Sequence, residues 1–199
     1  MVVSPAAALL LFFLFYFTAA FVWPTLRLWR RDRVNALVLA RDDSAHGVLA
    51  SWFRGLIAVM MLLLIARAAG LPASALGAID WLALPALRFV GWGLLLASLA
   101  WIVAAQAQMG ASWRIGIEPG TQPPLVRRGL FGRSRNPIFL GMRLNLAGLF
   151  LADPNAATLA ALLLGEALIQ VQVRLEEVHL AGVFGADYDA YRREVPRWI

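Results

Sequence analysis

Five runs of apolar residues alternate with stretches in which polar residues, glycine and proline collect. The first, Val2 to Trp23, carries no charge and is long enough as a helix to cross a hydrocarbon core of about 30 Å. No basic residue precedes it as a signal peptide requires, so it reads as a retained first helix. Pro24 falls just past its end, where proline ends a helix at low cost. A basic segment follows, with Arg27, Arg30, Arg31, Arg33 and Arg41 against Asp32, Asp42 and Asp43. The second run, Ser51 to Ala69, is uninterrupted only from Gly55 to Ala66. Its Arg54 and Arg67 are expected to snorkel toward the two interfaces.

A short loop with Pro72, Asp80 and Pro85 leads to the third run, Arg88 to Ala107. From Met109 to Arg135 glycine and proline recur so often that the segment reads as a loop. Two more apolar runs follow, Pro137 to Ala152 and Asn155 to Val173, joined by a tight turn at Asp153-Pro154. The remainder, Arg174 to Ile199, is amphipathic and charged. The expected fold is therefore all-α and polytopic, with about five transmembrane helices and a short C-terminal helical hairpin. The chain divides into helices 1–3 over residues 1–108, facing lipid and substrate, and a core of loop, hairpin and amphipathic helix over 109–199.

Composition agrees. Of the 199 residues 61% are hydrophobic and 15% charged, and the mean hydropathy is +0.70, well outside the range of soluble domains. All basic residues are arginine, and the net charge is +6. A nucleic-acid surface would need those arginines contiguous, whereas they sit at the edges of apolar runs. Five fall in segment 24–53, five in 109–136 and four from 174 onward. The positive-inside rule then places the N-terminus outside and the C-terminus in the cytoplasm, as in a bacterial inner membrane. Cysteine is absent, and His46 and His179 give no metal-ligand spacing. No metal and no nucleic acid is expected, and no glycine fingerprint follows a strand.

The fourth run is short for a crossing and holds Arg143 and Asn145 at its middle. In the fifth, Glu166 and Gln170, continued by Arg174 and Glu177, lie on one helix face. Asn136, Leu140 and Arg143 share a face of the preceding helix. Packed antiparallel, the two faces meet in a polar cleft that opens toward the cytoplasm. Arg143 and Glu166 are either a structural ion pair within lipid or part of that cleft. Arg135, Arg174, Glu176 and Glu177 gather at its end, where they can recognise a carboxylate and an ammonium together.

Gly129-Leu130-Phe131 and Arg135-Asn136-Pro137-Ile138-Phe139-Leu140-Gly141 resemble a motif of the integral-membrane methyltransferases. Arg174-Leu175-Glu176-Glu177-Val178-His179-Leu180, with Phe184 to Tyr188, Tyr191 and Val195-Pro196-Arg197, is similar to that family's C-terminal signature. The family is that of isoprenylcysteine carboxyl methyltransferase, with phospholipid N-methyltransferases as kin, and the resemblance covers 109–199. It implies S-adenosylmethionine as cofactor and S-adenosylhomocysteine as product. Arg135, Asn136, Pro137, Phe139, Gly141, Glu176 and Glu177 match its cofactor positions. Two departures stand out: Asn136 replaces the usual histidine and cannot titrate near neutrality, and Glu194 replaces an arginine before Val195-Pro196.

The implied reaction moves a methyl to an amphipathic acceptor, lipid-like or prenylated, that enters from the bilayer. A carboxylate acceptor needs no base, and Arg174 is the candidate to orient it, with Glu177 as the second catalytic candidate. A phospholipid amine acceptor, or a non-catalytic protein keeping the fold, is the alternative. Gly91-Trp92-Gly93 is similar to a cofactor Gly-x-Gly of some phospholipid methyltransferases, but close helix approach explains it better.

Overall fold

The computed structural model describes residues 4–33, 37–38, 43–110, 115–116 and 124–199. Arg41, Asp42, Arg114 and Glu118, part of the basic-loop reading, lie outside the described residues. Among the described residues seven α-helices carry the architecture: α1 (Pro5–Phe17), α2 (Trp23–Asp32), α3 (Ala45–Ala68), α4 (Pro85–Met109), α5 (Pro137–Ala152), α6 (Ala156–Phe184) and α7 (Ala186–Glu194). Two-residue strands, β1 (Leu37–Val38) and β2 (Ile115–Gly116), pair in parallel. Among the described residues four stretches are long and apolar enough to cross a membrane: Pro5–Arg30, Ala45–Ala68, Pro85–Met109 and Ala156–Phe184. The fourth expected span, α5, has only 16 residues.

Pro24 does not end the first helix. A π-helical turn over Thr18–Val22 joins α1 to α2, with the Trp23 N–H reaching back to the Thr18 carbonyl. Pro24 has no N–H to offer the Ala20 carbonyl four residues earlier. The Gln106 side chain, from α4, donates Nε2 to that carbonyl at 2.7 Å. The missing donor is thus supplied by a neighbouring helix, as membrane proteins do at proline-containing spans.

Two other boundaries shift. α3 begins at Ala45 rather than Ser51, because the Ser44 hydroxyl caps it by accepting from the Gly47 N–H at 3.1 Å. α6 runs on past Val173 to Phe184 and stops where Gly185 takes φ +51°, a conformation that glycine adopts without strain. Arg54 turns along α3 to donate to Ser51 Oγ at 2.8 Å. Arg67 instead pairs with Asp153 at 3.0 Å and donates to the Leu71 carbonyl at 2.6 Å.

That Arg67 contact fastens α3 to the α5–α6 turn. The turn holds itself with a capping box, in which Thr158 N–H donates to Asn155 Oδ1 at 3.0 Å and Asn155 N–H to Thr158 Oγ1 at 3.2 Å. The core forms where α1, α3, α4 and α5 meet, around Phe12, Phe13, Leu64, Leu95, Ile102 and Leu149. Phe12 meets Trp92 edge-on, centroids 5.8 Å apart.

Helices α4 and α5 lie backbone to backbone. A Cβ on Gly91 would stand 2.6 Å from the Ala152 nitrogen, and one on Gly148 would stand 2.9 Å from the Gly91 carbonyl oxygen. Small residues at a crossing let two membrane helices approach this closely. Gly93 meets nothing within 4 Å, so the pair does not act as a unit. Large apolar side chains such as Leu62, Phe89 and Leu163 are exposed, as expected of helix faces that meet lipid.

Candidate functional site

The segment entering α5 is built to present Arg135 and Asn136. Gly129 takes φ +65°, and a side chain there would overlap Gln108, whose Oε1 accepts from the Leu130 N–H at 2.7 Å. A 3₁₀ turn over Gly129–Gly132 follows, its buried Phe131 carbonyl accepting from the Tyr191 hydroxyl at 2.6 Å. Buried Ser134 accepts from the Asn136 N–H at 3.2 Å and donates to the Arg197 carbonyl at 3.0 Å. Pro137 then opens α5 at a position where no N–H is needed.

From the other side, α7 folds back after Gly185. Tyr188, Tyr191 and Val195 pack against Leu125, Leu180 and Phe184. The chain beyond α7 runs alongside the α5 entry, with the Arg135 N–H donating to the Pro196 carbonyl at 3.0 Å. This course carries Arg197 to Glu177.

Glu177 is the centre of the resulting cluster and is buried, its side chain 8% exposed. Its Oε1 accepts from Arg135 Nε at 3.3 Å and Nη2 at 3.2 Å, from Asn136 Nδ2 at 3.1 Å and from Arg197 Nε at 3.0 Å. Its Oε2 accepts from Arg197 Nη2 at 2.8 Å. Arg135 spends Nη1 on the Arg192 and Val195 carbonyls, at 2.9 and 3.0 Å. The hydrogen bonds it donates to Glu177 hold the Arg197 guanidinium more firmly protonated than an ordinary arginine, against the opposing effect of burial. Burial pushes the Tyr188 phenol up to about 12, and the Glu177 charge adds to it. The Tyr188 hydroxyl is buried with no hydrogen-bond partner among the described residues.

The polar stripe along the hairpin is continuous. Arg143 Nε meets Glu166 Oε2 at 2.7 Å, Glu166 Oε1 accepts from Gln170 Nε2 at 2.8 Å, and Gln170 Oε1 accepts from Arg174 Nη1 at 2.8 Å. The Trp198 ring covers the Arg143 guanidinium at 4.5 Å from its centroid, within cation–π range.

Of the residues singled out from the sequence, Arg135, Asn136 and Glu177 come together. Glu176 sits beside Glu177 with no hydrogen bond or ion pair among the described residues. Pro137 is fully buried and its carbonyl accepts from Trp101 Nε1 at 2.9 Å. Phe139 is half-buried on the first turn of α5. Gly141 lies against Ile102, with which a Cβ would overlap, and its carbonyl accepts from Ser98 Oγ at 2.7 Å.

Arg174 does not join the cluster. Its guanidinium folds one turn back onto the Gln170 carbonyl at 2.7 Å and side-chain Oε1 at 2.8 Å, while the Glu177 oxygens accept from Arg135, Asn136 and Arg197. Arg197 and Ser134 join the cluster through Glu177 and Asn136, and Tyr188 feels the Glu177 charge; none of the three was singled out. Arg197 and Tyr188 lie within the C-terminal signature, which was the available signal. Among the described residues no group of three histidine, aspartate or glutamate side chains could hold a metal ion.

Long apolar helices closing on a buried arginine–asparagine–glutamate cluster define a membrane-helical protein with a polar site at the end of its last hairpin. The family model for phospholipid methyltransferases matches residues 87–187. The chain belongs to that family, which includes the isoprenylcysteine carboxyl methyltransferase-like membrane enzymes. The match takes in α4 as well as the hairpin. Comparison with curated proteins and with solved structures finds no match.

Proposed function

We propose that this protein transfers a methyl group from S-adenosylmethionine to a lipid-like acceptor at the cluster between the first turn of α5 and the last turns of α6. The observation that carries this reading is the meeting of Arg135 and Asn136 with Glu177 across 42 and 41 residues of chain.

Two groups left over by that network suit the cofactor. Glu176, without a partner among the described residues, offers negative charge to an ammonium or sulfonium. The orphaned Tyr188 hydroxyl is costly unless something completes its hydrogen bond. Arg135, Asn136, Pro137, Phe139, Gly141, Glu176 and Glu177 would hold the cofactor, Phe139 by packing on adenine or sulfonium. Gly141 would do so indirectly, by keeping α5 close to α4. When bound, S-adenosylmethionine supplies a methyl already activated on sulfur and leaves as S-adenosylhomocysteine. The chain's own task is to align the acceptor and exclude water.

Both oxygens of Glu177 are engaged, and Asn136 cannot titrate. The cluster therefore lacks an obvious base at these positions, and an acceptor that needs none, a carboxylate, fits best. Arg174, exposed at the end of the stripe, would orient it through its planar fork. Residues 1–108 would face lipid and substrate, and 109–199 would form the cofactor core, open to the cytoplasm of a bacterial inner membrane. One observation favours the alternative, a phospholipid amine: Glu176 is a carboxylate free to take that amine's proton.

Calorimetry on detergent-purified protein tests the cofactor, and the absence of S-adenosylmethionine or S-adenosylhomocysteine binding at about millimolar ligand would sink the proposal. Incubation with methyl-labelled cofactor and either a prenylated carboxylate or phosphatidylethanolamine separates the two acceptors. Binding without turnover on either lipid would favour a non-catalytic protein.

A further inference from the structure

Arg143 belongs to the polar stripe but commits little of its hydrogen-bonding capacity to it. Its one hydrogen bond among the described residues runs from Nε to Glu166 Oε2, at 2.7 Å. Nη1 and Nη2 donate to nothing among the described residues, and neither is closed off from the surface as Arg54 Nη1 is. The Arg143 side chain is 32% exposed. It stands on α5 about 9 Å beyond Pro137, inside the apolar hairpin, where a polar donor needs a partner other than bulk water.

The surroundings leave these two groups open together. Glu166 holds the Nε corner, and the Trp198 ring covers one face at 4.5 Å from its centroid. What remains is the edge on which Nη1 and Nη2 lie side by side, the fork that binds two oxygens of one acid at once. Charge points the same way. The stripe sets two arginines, Arg143 and Arg174, against the single carboxylate of Glu166, with neutral Gln170 between them, so one added anion balances it. Away from the Glu177 cluster the same face of α6 turns apolar. Leu163, three residues before Glu166 and hence beside it on the helix, is 63% exposed.

We infer that the open edge of Arg143 seats the acid headgroup of a bilayer lipid, a phosphate or a carboxylate, whose chain runs over Leu163 into the hydrocarbon. The headgroup is held there as a ligand and not as the methyl acceptor, because Arg143 lies about 10 Å along α5 from Asn136. The seat requires neither cofactor nor transfer, and it stands whether or not the Glu177 cluster binds S-adenosylmethionine.

The test uses the full chain in detergent, without cofactor, and native mass spectrometry with three lipids of one acyl chain: oleic acid, oleoyl lysophosphatidic acid and neutral oleoylglycerol. The two acids carry the two headgroup chemistries, and the tighter of them identifies the source. At least one acid is expected to bind about tenfold tighter than oleoylglycerol, the scale of one charged hydrogen bond. Arg143→Lys keeps a cation for Glu166 but has no fork; it should stay folded and lose that preference. Arg88→Lys, exposed on α4, should keep it. Glu166→Gln should act in reverse, since it removes the carboxylate that competes for the guanidinium. Its lipid-free thermal midpoint should fall, its affinity for the acid should rise several-fold, and the acid should restore the midpoint. A pair that serves structure alone gives the same fall with no gain in acid binding. Equal binding of acid and neutral lipid by the wild type overturns the inference. So does an acid preference unchanged in Arg143→Lys or equally lost in Arg88→Lys, or a Glu166→Gln protein that binds the acid no better.

Discussion

Arg197 grips Glu177 with two parallel hydrogen bonds, Nε to Oε1 at 3.0 Å and Nη2 to Oε2 at 2.8 Å. This fork on a carboxylate is the strongest geometry an ion pair offers. It joins the chain beyond α7 to α6, and through Arg135 and Asn136 to the start of α5.

Removing that carboxylate should unfasten all three. Arg135 is 8% exposed and would be left as a buried cation without its anion. Glu177→Ala is therefore expected to cost about 3–5 kcal/mol, read as a lower thermal midpoint in detergent. Arg197→Ala should cost less, because Arg197 is 35% exposed and its loss leaves Glu177 still paired with Arg135.

Glu176 should behave in the opposite way. With no partner to lose among the described residues, Glu176→Gln is expected to leave the thermal midpoint in place. If the residue serves the cofactor, affinity for S-adenosylmethionine falls about tenfold, the scale of one charged hydrogen bond. Calorimetry on both proteins decides it; unchanged affinity removes Glu176 from the site.

The two glycines of Gly91-Trp92-Gly93 should separate cleanly. Gly91→Ala drives a methyl into the Ala152 backbone and should destabilise by about 1–3 kcal/mol. Gly93→Ala meets open space and should gain about 0.5–1 kcal/mol from helix propensity. Thermal unfolding of the two single variants is sufficient. Equal effects would contradict the close approach of α4 and α5.

Alkali should weaken the α7 region first. Burial pushes both Tyr188 and Tyr191 up to about 12, against an unfolded value near 10. The native state therefore holds these protons more tightly than the unfolded chain does. Their contribution is fully present below about pH 10 and is lost as pH rises toward about 12. Tyr188→Phe should flatten the fall in stability across that window, measured by unfolding at fixed pH steps.

The last hairpin was legible because its polar residues repeat at helical spacing inside apolar runs, and Asp153-Pro154 marks the turn between them. Glu177 and Asn136 were legible through the two motifs. Pro24 was misread for a physical reason: the donor that rescues its helix comes from Gln106, 86 residues away, and no local pattern reports that. The start of α3 carried its signal in Ser44, a capping residue ahead of the apolar run. Arg174 was placed in the cluster from its helix face alone, which fixes direction but not which acceptor its long side chain selects. Arg197 lacked any helical periodicity, since it reaches Glu177 only through the path of the chain after α7.

The stacking of Trp198 on Arg143 gives the site an optical reporter of its own. The indole sits one residue from Arg197 and covers a guanidinium that itself pairs with Glu166. A ligand that draws either arginine away changes the charge held against that ring, and with it the ring's emission. The chain has eight tryptophans, so the signal is the difference between the wild type and Trp198→Phe. Ligand binding at the cluster is thus expected to show as a fluorescence change that Trp198→Phe abolishes.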